Sequence, residues 1–176
     1  MSQASKHVEW YINKAKKEVE ECKKLGKRIK HRGLLKIEPN IEEAKRHIKK
    51  AEHDFNAISK FNEGGFSDWS ITAGFYCIYH CFLAIATKFG YESKNQTCTI
   101  SLIEHLREEN KIIIDKKFIE MLKYHNINEI QESKIIEERE HYTYGTEVSV
   151  KDKTKINDLM GNCKEIIDIT KEIIFN

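Results

Sequence analysis

Residues 71–86, ITAGFYCIYHCFLAIA, constrain this chain more than any other stretch. With Trp69 before them and Phe89 after, they put Phe75, Tyr76, Ile78, Tyr79, Phe82 and Leu83 around the whole circumference of a helix. A helix that is apolar on every side must be wrapped by other helices or by lipid. Thr72, Gly74, His80 and the two tyrosines interrupt this one and Lys88 closes it, so it is poor material for a bilayer span and no membrane segment is expected. The remaining reading is a central rod in a helical bundle. Eight glycines and a single proline, Pro39, agree with long helices, and 176 residues suffice for one core.

The flanking segments supply the wrapping. Val8, Tyr11, Ile12, Ala15, Val19, Cys22 and Leu25 recur at steps of three and four, predicting an amphipathic helix over about 4–25. Residues 23–36 form a basic connector in which Lys27, Arg28, Lys30 and Arg32 stand without an acid, and Gly26 and Gly33 mark the end of the helix. Asn40 with Glu43 three residues on predicts a capped start to a second helix, whose seam reads Ile41, Ala44, Ile48, Ala51, Phe55 and Ile58. Gly64 and Gly65 break it, and Ser67 or Asp68 is expected to cap the central rod. After a polar loop over 91–98, short helices are predicted around Leu102 and Phe118. A glutamate-rich one follows over about 128–142, with Ile130, Ile135 and Ile136 beside Glu129, Glu132, Glu137, Glu138 and Glu140. Ser149 is expected to cap a final helix through Ile156, Leu159, Cys163, Ile166 and Ile173. The expected fold is all-α, an antiparallel up-and-down bundle of four main helices with one or two short ones.

The first residues carry charges throughout, unlike a secretory signal, and the five cysteines lack the spacing of a disulfide framework. A cytoplasmic protein with free thiols is expected. Cys77, His80 and Cys81 share one helical face, and Cys98 is available as a fourth ligand, but no second paired motif accompanies them. Packing is preferred, and neither a metal nor a cofactor is expected. Lys27, Arg28, Lys30 and Arg32 are candidate phosphate contacts, set against a net charge of only +2 and no interleaved aromatic residue to stack on bases.

Three places together resemble a known family. They are residues 41–69, an opening helix with its glycine turn; AGFYCIYHC, a tyrosine-rich helix bearing a histidine; and REHYTYG, residues 139–145, followed by an amphipathic helix. In this order and spacing they resemble the HEPN superfamily, small helical bundles of prokaryotic toxin and defence systems. The likeness runs from about residue 40 to 172. It implies residues 39–176 as a HEPN-like bundle, with residues 1–38, the first helix and connector, completing one compact domain.

In ribonucleases of that family, an arginine steadies the scissile phosphate and a histidine after four to six intervening residues moves protons, without a metal, across a homodimer. The arginine maps onto Arg139. Where the histidine is expected stands Tyr144, followed by Gly145, which is similar to an uncharacterised branch. A phenol is a weak proton acceptor at neutral pH. His141 lies about 200° around a helix from Arg139, and serves only if the helix ends near residue 140. Tyr142 and Tyr144 suit an interface. Tyr76, Tyr79 and His80 are candidate pocket residues, His80 being expected to bond Tyr76, a carbonyl or a carboxylate. The resemblance thus implies a homodimeric, non-catalytic or weakly active module associated with RNA or a nucleotide, with a nucleotidyltransferase as possible partner. Alternatives are a metal-independent endoribonuclease using Arg139 with His141 or Tyr144, and a structural interaction module.

Overall fold

A computed structural model describes residues 2–123 and 135–176, and among these the chain is predominantly helical. Four long helices, α1 (Gln3–Lys24), α2 (Ile41–Glu63), α3 (Ser67–Lys88) and α7 (Lys153–Phe175), are joined by three shorter ones. These are α4 (Gln96–Glu108), α5 (Lys116–Leu122) and α6 (Ile135–Tyr144). Among the described residues the short helices number three, where one or two were expected. The part of the glutamate-rich segment holding Glu129, Ile130 and Glu132 lies outside the described residues.

α3 is the rod at the centre. It packs on α2 most extensively, then on α7, α6 and α4, and Phe75, Ile78, Phe82 and Ile85 are buried completely or nearly so. By length and composition it could cross a membrane, yet 72% of its most apolar window is buried inside the bundle. The α2–α3 pair is antiparallel. Ser70 Oγ donates to the Ile58 carbonyl at 2.9 Å near the turn, and His47 meets His80 three turns away. α7 runs parallel to α3, because the Cys163 thiol donates to the Gly74 carbonyl and, further along both helices, Lys88 donates to that of Ile173. A Cβ at Gly74 would stand 2.5 Å from the Leu159 side chain, so the glycine lets α7 settle closely on the rod.

Local signals explain most boundaries. Asn40 Oδ1 accepts the Glu43 N–H at 2.9 Å, as expected for the start of α2. Two caps differ. Phe66, without a side-chain bond, precedes α3, because the Ser67 hydroxyl instead accepts the Val150 N–H at 2.8 Å and ties down the chain entering α7. Asp152, rather than Ser149, caps α7 by accepting the Thr154 N–H at 2.9 Å. The basic connector and the polar loop also contain something the sequence did not announce. Strands β1 (Leu34–Lys36) and β2 (Tyr91–Ser93) pair antiparallel, with Leu35 opposite Glu92. The end of the first stripe fails as well: Leu25 is exposed beyond the helix.

Candidate functional site

α6 carries the residues that the sequence singled out for chemistry. Ile135 and Ile136 are buried at its start and anchor it, while Thr143 meets Thr72 of α3 at 3.2 Å between hydroxyl oxygens. Glu137 and Glu138 in the first turn and His141 in the last suit the helix dipole. The helix does not end at residue 140. It continues to Tyr144 and closes with the Gly145 N–H donating to the His141 carbonyl at 2.9 Å.

This continuation separates the candidates. Arg139 turns inward with its side chain 16% exposed, the guanidinium carbon 4.3 Å from the centre of the Phe75 ring. Its Nη2 is 3.7 Å from Glu140 Oε1, and its buried Nε has no hydrogen-bond partner. His141 turns outward, 58% exposed, with Nε2 3.6 Å from Glu147 and its ring against Tyr142. Tyr144 is 79% exposed. The side chain one helical turn beyond Arg139 is thus Thr143, and neither His141 nor Tyr144 shares the inward face. Glu138 is engaged by Lys155 at 2.5 Å.

A second cluster lies between α2 and α3, on the flank of the rod next to α6. A cavity of about 420 Å³ is lined by Lys50, Asp54, Phe61, Trp69, Tyr76 and His80, among others. Tyr76 and His80 are there as expected; Tyr79 is not, its hydroxyl lying instead 3.4 Å from Thr99 on α4. Burial raises the pKa of Tyr79. Among the described residues His80 bonds neither a tyrosine nor a carboxylate. Its Nδ1 lies 3.1 Å from Nδ1 of His47, the rings stacked at 5.3 Å, so one imidazole donates and the other accepts. Asp54, which the sequence reading passed over in favour of Phe55, is buried, with one carboxylate oxygen bonded by Lys50 and the other unpaired. The available signal was the helical period itself, since His47 and Asp54 adjoin the Ala44–Ile48–Ala51–Ile58 seam.

Burial first, then the neighbouring His47, pushes the pKa of His80 from the ordinary 6.5 down to about 4. Burial also lowers that of His47. Both rings cannot carry a proton on the shared Nδ1 contact, which is the steric side of the same effect. A histidine whose folded pKa is depressed contributes stability above its unfolded value, and that contribution disappears as pH falls from about 6.5 towards 4. The thermal midpoint of wild type should therefore drop across that window more steeply than that of His80→Gln. Equal slopes would show that His80 does not titrate abnormally.

The connector cations stand elsewhere. Lys27, Arg28, Lys30 and Arg32 are exposed, and among the described residues none joins an ion pair. They lie between α1 and β1, which pack on each other, with α1 also against α4, whereas α6 packs on α3 and α5. The thiols are interior: Cys77, Cys81, Cys98 and Cys163 are buried and Cys22 is half-buried. The hydrogen bond with Cys163, and burial, drive the Cys77 pKa upward. No group of three or more potential metal ligands is found among the described residues.

A family model for the HEPN domain matches residues 44–174. The chain belongs to the HEPN domain family. The match begins within α2 and includes both clusters, while α1, the connector and β1 precede it. No curated protein compared with this HEPN chain matches it.

Proposed function

We propose that this HEPN protein is an RNA- or nucleotide-associated module of the toxin–antitoxin or defence type, binding phosphate while cleaving RNA weakly or not at all. The observation that carries this reading is the inward Arg139, a cation laid on Phe75 with no histidine on its own face of α6. A guanidinium suits phosphate, but cleavage also needs a group that exchanges protons with the reacting oxygens. In this reading two copies pair through the α6 end, where Tyr144 and Val148 are largely exposed. A nucleotidyltransferase is the partner protein the family suggests.

One observation favours a second reading, a metal-independent endoribonuclease. His141 lies 3.6 Å from Glu147 at an exposed helix end, an imidazole with an orienting carboxylate, and a second copy could bring it to Arg139. RNA cleavage in chelator by wild type, Arg139→Ala, His141→Ala and Tyr144→Phe separates the two, with folding checked by circular dichroism. The expected result is little or no cleavage by wild type, and RNA affinity about tenfold or more weaker in Arg139→Ala, as for a lost charged hydrogen bond. Affinity should also fall as salt rises. Robust cleavage lost in folded Arg139→Ala and His141→Ala would replace this reading with the ribonuclease. Absence of any salt-sensitive RNA or nucleotide binding would leave a structural interaction module.

A further inference from the structure

The cavity between α2 and α3 combines features that bundle packing alone does not require. Its walls include Phe61, Trp69 and Tyr76, which remain 37%, 49% and 41% exposed. Behind them lies Asp54, whose side chain is only 9% exposed. One of its oxygens is bonded by Lys50, and no protein group reaches the other. A buried acceptor without a donor costs stability, and a donor from outside the chain, a water or a ligand group, relieves that cost. Lys50, half-exposed, lines the same cavity. The opening is adjacent to Arg139: Thr72 lines the cavity and bonds Thr143 one turn beyond the arginine, and Tyr76 packs edge-on against the Phe75 ring that carries the guanidinium.

We infer that this cavity is a base pocket for a guanine-type ring, taken from a free nucleotide or from single-stranded RNA. Trp69 and Tyr76 are the stacking surfaces, and Asp54 is the acceptor for the ring's N–H edge. Aromatic side chains that stay exposed around a concave site are the usual platform for an unstacked base. The carboxylate decides among bases, because an ionised carboxylate offers acceptors only. Guanine presents two adjacent N–H donors on its pairing edge. Adenine and cytosine place a ring acceptor beside their amino group, and uracil flanks its single N–H with two carbonyls, each of which would face the carboxylate. To admit the ring the Lys50 chain swings to the rim, where its ammonium meets the phosphate. The inference deepens the RNA or nucleotide reading and rests on it for the source of the ring.

Calorimetric titration of the whole protein tests it with GMP, AMP, and single-stranded oligouridylates with and without one central guanosine. GMP should bind about tenfold or more tightly than AMP, and the guanosine-containing oligonucleotide more tightly than its all-uridine counterpart. Trp69→Ala, an exposed position, should weaken both by roughly five- to hundredfold, the range for one lost base stack. Asp54→Asn should abolish the preference for GMP, and if it does not fold, Tyr76→Ala with Trp69→Ala still decides the matter. Equal or absent binding of GMP and AMP overturns the pocket, as does unchanged binding by Trp69→Ala. So does a dimer that Trp69→Ala turns to monomer in sedimentation, which would assign the face to a second copy. RNA binding that needs Arg139 but not Trp69 sinks the pocket and spares the RNA reading. Trp69-dependent GMP binding without RNA binding does the reverse, tying the pocket to a free nucleotide.

Discussion

Phe82→Ala should lower the unfolding free energy by about 3–5 kcal/mol, the largest single loss expected in this chain. Phe82 has no exposed surface and sits on α3 where the rod is enclosed by its neighbours. Truncation removes the transfer energy of the ring and leaves a cavity that surrounding helices cannot close without shifting. Urea unfolding followed by circular dichroism would measure it. A loss below about 1 kcal/mol would mean that the rod is not packed as described, since that is the size expected of a surface change. Trp69→Ala on the same helix should be close to neutral, because much of that ring already faces water.

The second large effect is expected at Gly33. A Cβ there would lie 2.3 Å from the Tyr11 carbonyl and 3.1 Å from the Ala15 backbone nitrogen, both on α1. No side-chain rotation relieves a clash with backbone, so Gly33→Ala must lift α1 or bend the chain entering β1, at a cost of about 1–3 kcal/mol. His31 lies beside it, buried and 2.9 Å from Glu92 on β2, so the disturbance should spread into the strand pair. Hydrogen exchange should show lost protection along α1 and β1, with α2, α3 and α7 affected less. Unchanged protection in α1 would show that the helix is not held against this segment.

The two substitutions also mark where sequence reasoning worked. Phe82 could be assigned to the core because an all-round apolar helix has few places to go, and its burial follows from composition within one turn. The cap at Asn40 was similarly local, needing only residues 40–43. Gly33 could be read only as a helix stop, since the atoms that forbid a side chain there belong to Tyr11 and Ala15, in the middle of α1. The site divides in the same way. Arg139 is a candidate from its motif alone, but whether His141 shares its face depends on where α6 ends, and the helix runs on to Tyr144. His80 was singled out while its partner was not, because His47 is 33 residues away and nothing local joins them. The same holds for Asp54, which is charged and therefore looks like a solvent-facing residue until α3 covers it.

By itself, then, the sequence determined the helices, the central position of α3 and the family, because periodicity, capping and apolar content act within a few residues of one another. Tertiary structure alone decided the β1–β2 pairing, the inward turn of Arg139, the histidine pair and the half-satisfied carboxylate behind three exposed aromatic rings. Those depend on which faces of different helices meet, and that is set by the packing of the whole bundle.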